Sequence, residues 1–478
     1  MPRRPNIVWV MADDLGSPLS FTGTAGVKTP HIDGLASEGM FFSRYYAAAP
    51  TCAPSRTAIF TGMYPTYLNA QHHHSEPDFP PPVKHLAQRL REDGGYFTAN
   101  VAKVPDGYPL IGFGKRDLNW SGQHDESLYD TDDFAELKDH QPFFAEFQCF
   151  EPHAPWHSLE KYDEEGLAVD PDEVELPPYY PDTPEIRTAW ARYLSAVQVF
   201  DTKVGTVREM LEKDGLLENT VIMVLTDHGR DMVRGKFQLY DSGIHLPLAV
   251  WIPEQHRPAG YEPGTVSDRL TSGVDILPTM LSLAGVERPP FLHGAPFLGP
   301  DAEEREHVYA HRDRVVTHID RSRAVVDERF HYIRNYMPDQ PGFFPAGLYE
   351  QVDISYDEVL VEMLRLRAEG KLTPEQEQII AETRPIEELF DIEKDPHQLK
   401  NLAEDPDLLP VLRQMRTALE FWLGQTQDKG FLPEPPEGAQ KGAFLVDFWM
   451  QTTGGKYNVD DYGVYDLPAA PEFAKLLQ

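Results

Sequence analysis

A chain of 478 residues with 41% apolar and 11% aromatic residues holds material for one large packed domain and a smaller companion, and excludes a disordered polymer. Its 43 Lys and Arg against 77 Asp and Glu leave a formal charge of −34, which excludes the basic footprint of a nucleic-acid binder and argues against an anionic membrane as partner. Two cysteines, Cys52 and Cys149, exclude a disulfide framework, and neither has a neighbouring thiol with which to hold zinc.

In chain order, two arginines precede the apolar run Asn6–Ala12, which ends at Asp13 and Asp14. The run is too short for a signal peptide and lacks a small-residue cleavage site, so it reads as a first strand and the chain as cytoplasmic. No window approaches the ~20 apolar residues of a membrane span. Thr29-Pro30 opens a helix with Thr as N-cap and Pro at the first position, Ile32 and Leu35 on one face and Gly39 as its stop. Leu86 and Leu90 mark a second helix that ends at Gly94-Gly95. Pro142–Phe150 is a strand run leading into Glu151-Pro152-His153. Ile186–Lys213 is a long helix, with Tyr193, Val197, Phe200, Val204, Val207 and Leu211 on one stripe. Val221–Leu225 then runs into Thr226-Asp227-His228-Gly229.

Near-continuous apolar strands alternating with helices predict an α/β fold, a large mostly parallel sheet sandwiched by helices. Ligands of such sheets sit beyond the carboxyl ends of the strands. Three runs end in Asp13-Asp14, His153 and Asp227-His228, so separated stretches should converge on one edge. After about residue 315 the pattern changes. Arg323–Tyr336 alternates like a hairpin, Glu388–Lys394 reads as a short strand and Pro410–Thr426 as an amphipathic helix. The expected division is a catalytic α/β domain over 1–315 and a smaller α+β domain over 316–478, built on a short antiparallel sheet. The final stretch, rich in Gly, Pro and Tyr, is expected to wrap the surface as an ordered tail.

Pro54 pre-sets a helical φ, and Ser55–Thr61 can form a short helix closed by Gly62. Cys52 then lies at a helix N-terminus, where backbone N–H groups favour anions. Arg56 follows one turn later and can face the same pocket.

The string Cys52-Ala53-Pro54-Ser55-Arg56, followed by Thr61-Gly62, resembles the signature of the type I, formylglycine-dependent sulfatases of the alkaline phosphatase-like superfamily. Asn6-Ile7-Val8 with Asp13-Asp14 resembles that family's opening strand and first metal ligands. Thr226-Asp227-His228-Gly229 resembles its later metal motif. Gly235-Lys236, with Tyr240-Asp241-Ser242-Gly243-Ile244-His245-Leu246-Pro247, resembles its substrate-lysine motif. Glu388–Pro396 with Asn401-Leu402-Ala403 looks like its C-terminal signature. The variants around Asp227 and Asp241 look most like the heparan N-sulfatase (sulfoglucosamine sulfohydrolase)-like branch.

The resemblance implies hydrolysis of a sulfate ester or sulfamate. Cys52 would be converted to formylglycine by a formylglycine-generating enzyme, and would act on a small anionic sulfated substrate. It implies a metal at Asp13, Asp14, Asp227 and His228; three carboxylates suit a hard cation, and the family favours Ca²⁺, with Mg²⁺ open. It implies that Arg56 holds the modified residue, that Lys236 grips sulfate and that His153 helps protonate the leaving group. One departure stands. The family's Gly-Lys-x-His place is contested by Ala102-Lys103-Val104-Pro105 and Gly114-Lys115-Arg116-Asp117. Lys115 fits better, but Asp117 stands where a histidine is usual, and the base that expels sulfate is left open. His72, His73 and His74 cannot all reach one ion from consecutive positions; they line an entrance or a solvated loop. His245 and Arg314 are further pocket candidates, and a homo-oligomer is compatible with the sequence. The rival readings are a phosphonate or phosphodiester hydrolase on the same scaffold, and a non-catalytic anion-binding relic.

Overall fold

A computed structural model describes residues 4–432 and 434, apart from 110, 113, 316, 317 and 344–356. The strands are β1 (Asn6–Ala12), β2 (Met40–Tyr46), β3 (Phe97–Lys103), β4 (Thr131–Asp133), β5 (Phe143–Gln148), β6 (Thr220–Thr226), β7 (His245–Trp251), β8 (Thr265–Ser267), β9 (Thr271–Ser272), β10 (Val308–Arg312), β11 (Ser322–Val326), β12 (Phe330–Asn335) and β13 (Glu387–Asp391). Among the described residues, nine form a large sheet in the order β4-β3-β5-β1-β6-β7-β2-β8, with β9 also on β2. Only β7 runs against its neighbours β6 and β2; the other pairings are parallel. The expected mostly parallel sheet is therefore present.

β1 is buried along its whole length because both faces of the sheet are covered. Val8, Val10 and Ala12 point into one apolar layer, which the long helix Pro184–Lys213 completes through Leu194, Val197, Phe200 and Val204. Ile7, Trp9 and Met11 point into the other, beneath helices Leu86–Gly94 and Ile276–Ala284. The two-residue period of a strand makes this division unavoidable. Thr29 does occupy the N-cap of the Pro30–Glu38 helix, but its hydroxyl makes no cap; it donates instead to Asp33 Oδ1 at 2.8 Å.

The hairpin at Ser322–Asn335 and the strand at Glu387–Asp391 form with β10 a four-stranded antiparallel sheet. This sheet begins at Val308, a few residues ahead of the expected change at 315. Helix Leu409–Gln425 packs on it through Leu412, Met415, Leu419 and Trp422. The final stretch, expected as an ordered tail, lies outside the described residues. Among the described residues, no helix is long and apolar enough to cross a membrane.

Candidate active site

β5, β1 and β6 are adjacent and parallel, so the loops after them open side by side. Leu15 donates its backbone N–H to Thr226 Oγ1 at 3.1 Å, tying the ends of β1 and β6 together. Asp14 takes a left-handed φ of 67°, rare for a residue with a side chain. That turn aims its backbone N–H at Asp227 Oδ1, 3.2 Å away.

Cys52 is the first residue of the helix Cys52–Thr61, every residue of which is buried. Gly62, at φ 68°, closes that helix in the left-handed conformation. Ser55 donates to the Asp227 carbonyl at 2.5 Å, pinning the helix start to the end of β6. The result brings Cys52, Asp13, Asp14 and His228 together, with one ligand atom from each lying within 4.8 Å of all the others. His228 Nε2 is 3.1 Å from Cys52 Sγ and 3.2 Å from Asp14 Oδ1. His228 Nδ1 lies 3.0 Å from the Gly229 carbonyl, which orients the ring so that Nε2 faces the cluster.

The segment after β6 holds its shape by close backbone approach. A Cβ on Gly229 would meet the Ser242 carbonyl at 2.1 Å, and one on Gly243 the Gln238 carbonyl at 2.1 Å. These glycines let the Asp227–Gly229 and Asp241–Ile244 segments nest, and Lys236 is delivered between them.

Cations surround the acids. Arg56 donates through Nε to Asp227 Oδ2 at 2.9 Å, places Nη2 3.6 Å from Asp13 Oδ1, and donates through Nη1 to Gln148 Oε1. Lys115 reaches Asp13 Oδ2 directly and Asp117 Oδ2 at 3.0 Å. Lys236 Nζ is 2.8 Å from Asp14 Oδ2 and 3.1 Å from His153 Nε2.

These neighbours set the protonation states. Burial alone would raise the Asp13 carboxyl, but Lys115 and Arg56 hold it well below its ordinary value. Asp14 is lowered likewise, burial being overcome by its positive surroundings, with Lys236 Nζ 2.8 Å from Oδ2. Burial pushes the Cys52 thiol well up despite Lys236 and Lys115, so the unmodified thiol is a poor nucleophile here. Burial lowers His153 against the pull of Asp14, leaving it neutral.

Of the two competing lysines, Lys115 lies with Asp13 and Asp117 beside the cluster. Lys103 points away, its side chain 65% exposed and paired with Asp132 at 2.9 Å. His245 also lies elsewhere: Nε2 is 2.6 Å from the Ser43 carbonyl and the ring stacks on Tyr46. His72 turns toward Gln71 and Glu434, while His73 and His74 lie against one another with ring centroids 3.8 Å apart. His74 Nδ1 stands 3.6 Å from Asp117 Oδ1, so an imidazole does meet the place where the motif lacks one, from a different loop. Arg314 adjoins this strip; its carbonyl accepts from the His73 backbone N–H at 2.9 Å.

Sequence reasoning missed three contributors. Gln148 holds Arg56, and Glu146 accepts from Gln148 Nε2 at 3.0 Å and from the Tyr129 hydroxyl. Their signal was present: two polar residues two apart, on one face of an otherwise apolar strand. Asp231, 3.8 Å from Lys236 Nζ, lay hidden in a polar loop.

A family model described as Sulfatase matches residues 5–286. An ulvan-active sulfatase of Formosa agariphila is 34% identical over 471 residues, covering 91% of this chain and 77% of that protein. Human N-sulphoglucosamine sulphohydrolase is 26% identical, with 89% of this chain and 91% of that protein covered. Two solved structures share the fold at lower identity. A protein in complex with its substrate D-glucosamine-2-N,6-O-disulfate aligns with a TM-score of 0.59 at 18% identity, over 91% of this chain and 100% of that one. The phosphonate monoester hydrolase of Agrobacterium radiobacter aligns with a TM-score of 0.61 at 20% identity, over 90% of this chain and 97% of that one. With its buried acids and cations gathered at three strand ends, and a family match over more than half its length, the chain belongs to the sulfatase family and is a sulfuric ester hydrolase.

Proposed function

We propose that Cys52 is the precursor of a formylglycine and that this hydrolase uses it, with a divalent cation, to cleave a sulfate ester or sulfamate on a sugar. The observation that carries this reading is the convergence of Cys52 with Asp13, Asp14 and His228, flanked by Arg56, Lys115 and Lys236. The donor set fits a hard cation. Among the described residues Asp13 Oδ1 and Asp14 Oδ1 are buried without a hydrogen-bond partner, and His228 offers Nε2 beside them. Asp227 stands at the rim, its Oδ2 3.9 Å from His228 Nε2, and would complete the set. The family precedent favours Ca²⁺ over Mg²⁺. When bound, the cation supplies a Lewis acid for the sulfuryl oxygens. The hydrated aldehyde supplies a hydroxyl nucleophile for sulfur, which a buried, protonated thiol does not.

The chain's own residues supply the remainder. Arg56, fixed by Asp227 and Gln148, holds permanent positive charge beside the nucleophile. Lys115 and Lys236 face the site from two sides and stabilise charge gathering on the transferred group. His153 Nδ1 contacts the Ala154 carbonyl, so Nε2 accepts from Lys236 and the transferable proton rests on Lys236 Nζ. That proton is the one placed for the leaving oxygen or nitrogen. The phosphonate hydrolase neighbour shares the fold, so phosphonate esters belong in the substrate screen.

The test is the mass of the tryptic peptide Tyr45–Arg56, followed by sulfate release from sulfated sugars, sulfamates and phosphonate monoesters. An aldehyde or its hydrate at position 52, with sulfate released fastest, is the expected result. An intact thiol from a host that makes formylglycine would sink the nucleophile assignment. Added Ca²⁺ should raise Tm by mass action and Asp14→Asn should abolish that rise; an unchanged Tm in the unmutated protein would sink the metal assignment.

A further inference from the structure

Glu434 sits against the rim of this site. Its carboxylate takes both Nε and Nη2 of Arg314, at 2.6 and 2.7 Å, and lies 3.8 Å from His72 Nδ1. A planar guanidinium engaging two oxygens of one carboxylate is a shape-specific oxyanion contact. The backbone of Arg314 is pinned to the histidine strip: its carbonyl accepts from His73 N–H at 2.9 Å and its N–H faces His72 Nδ1 at 3.4 Å. The strip leads inward. His73 contacts His74, His74 faces Asp117, and Asp117 pairs with Lys115. The His74 side chain remains 38% exposed, so the strip meets solvent at His74, while His72 and His73 are buried.

We propose that Arg314 is a second oxyanion subsite, taking a carboxylate or sulfate on the sugar adjoining the one that is desulfated, and that Glu434 occupies it until such a substrate displaces it. The proposal rests on the sulfatase reading for the inner site. Two features separate this pair from a purely structural one. Arg323, in the neighbouring sheet, pairs with Asp313 and Asp428, and none of the three side chains is more than 1% exposed. Glu434 retains 12% exposure and covers an arginine at 3%. It also comes from beyond the Leu409–Gln425 helix, 120 residues after Arg314 in sequence, while Lys429 donates its N–H to the Thr66 carbonyl at 2.9 Å. In a chain with a formal charge of −34, an acidic side chain on an arginine of the histidine strip also screens out weak anions, because only a ligand with matching oxyanion geometry can replace it.

The experiment uses the full chain and three disaccharides: one with a uronate beside the sulfated sugar, its methyl ester, and one with a second sulfate in place of the carboxylate. The unmutated enzyme should favour the two doubly charged substrates over the ester. In Arg314→Gln the ratio of kcat/KM values, charged over ester, should fall about tenfold or more toward one, the loss of a bidentate charge-assisted contact. In Glu434→Gln the same ratio should rise through a lower KM with kcat held. Carboxylate and sulfate sources separate by which charged substrate loses more in Arg314→Gln. An unchanged ratio in Arg314→Gln, or a KM drop in Glu434→Gln shared equally by the ester, would overturn the proposal. If Arg314→Gln fails to fold, Glu434→Gln and Arg314→Lys decide by the same ratio. Binding of the three ligands to Cys52→Ala, measured by calorimetry, reads the subsite without turnover. Discrimination there with no sulfate release in the unmutated enzyme would uphold the subsite and sink the sulfatase reading instead.

Discussion

Arg56, behind the strand ends of the large sheet, and Arg323, in the small one, are equally inaccessible, yet their donors are used differently. Arg323 places Nε and Nη2 on Asp428 at 2.6 and 3.0 Å, Nη2 also on Asp313 at 3.2 Å, and Nη1 on the carbonyls of Arg312 and Ser322 at 3.1 and 2.8 Å. Every donor has an acceptor. Arg56 leaves Nη2 without a hydrogen bond among the described residues, facing an Asp13 oxygen that also has none. A closed buried network fixes structure; one with unfilled valences on both signs of charge is held open for a ligand. Arg323 buries charge to join parts of the chain, whereas the Arg56–Asp13 pair leaves the valences that the proposed anion and cation would fill.

The largest effect that can break this contrast is at the nucleophile. Cys52→Ala and Cys52→Ser should lower kcat on the order of 10³-fold or more while leaving the thermal transition nearly in place. Normal turnover in either variant would mean that the open cluster is not the reaction centre. Arg323→Met should do the reverse. It strands Asp313 and Asp428 in the interior, a loss of about 3–5 kcal/mol by analogy with broken buried pairs. Activity per folded molecule should persist, and denaturant titration alongside active-site counting would separate the two. Equal losses of stability and specific activity would erase the distinction between the sheets.

Glu146 offers a finer test, because it stands behind Arg56 through Gln148. Burial holds its carboxyl up at about 7 against an ordinary 4.5, although bonds from Tyr129 and Gln148 pull downward. The folded protein therefore keeps a proton that the unfolded chain releases between those two values. Stability from this group is greatest below the lower value, falls as pH rises through the window, and is level above it, a span of roughly 3 kcal/mol. Glu146→Gln keeps the shape and removes the titration, so its stability should be flatter over that window. Urea titrations across it should show the difference in slope, and parallel curves would refute a protonated Glu146.

The strand runs and the motifs they carry were legible because local chemistry dictates them. A fully buried parallel strand must be apolar throughout, as β1 and β6 are, and a turn at its end must be polar, as Asp13, Asp14 and Asp227 are. The helix at Cys52 was legible for the same reason, from Pro54 inward and Gly62 at its close. What was not legible depends on pairing across long separations. Nothing near Gln148 in the chain says that it will meet Arg56, 92 residues away. Nothing near His74 says that it will face Asp117, or that His245 will fold back on Ser43. Arg314 looked like any pocket arginine until Glu434 lay on it.

The smallest expected effect comes from the lysine that spacing alone could not place. Lys103 ends β3 and points to solvent against Asp132, while Lys115 meets Asp13 and Asp117 in the interior. An exposed ion pair adds little to stability and nothing to a site it does not touch. Lys103→Ala should therefore leave kcat, KM and Tm as they are. Lys115→Ala should depress kcat by about 10²-fold or more, since it removes positive charge aimed at the transferred group from a water-poor site. The paired variants are informative because their sequence contexts are alike and only their positions differ. If Lys103→Ala proved the more damaging, the strand end at β3 would have to turn toward the acids, and the order in which the large sheet presents its loops would need redrawing.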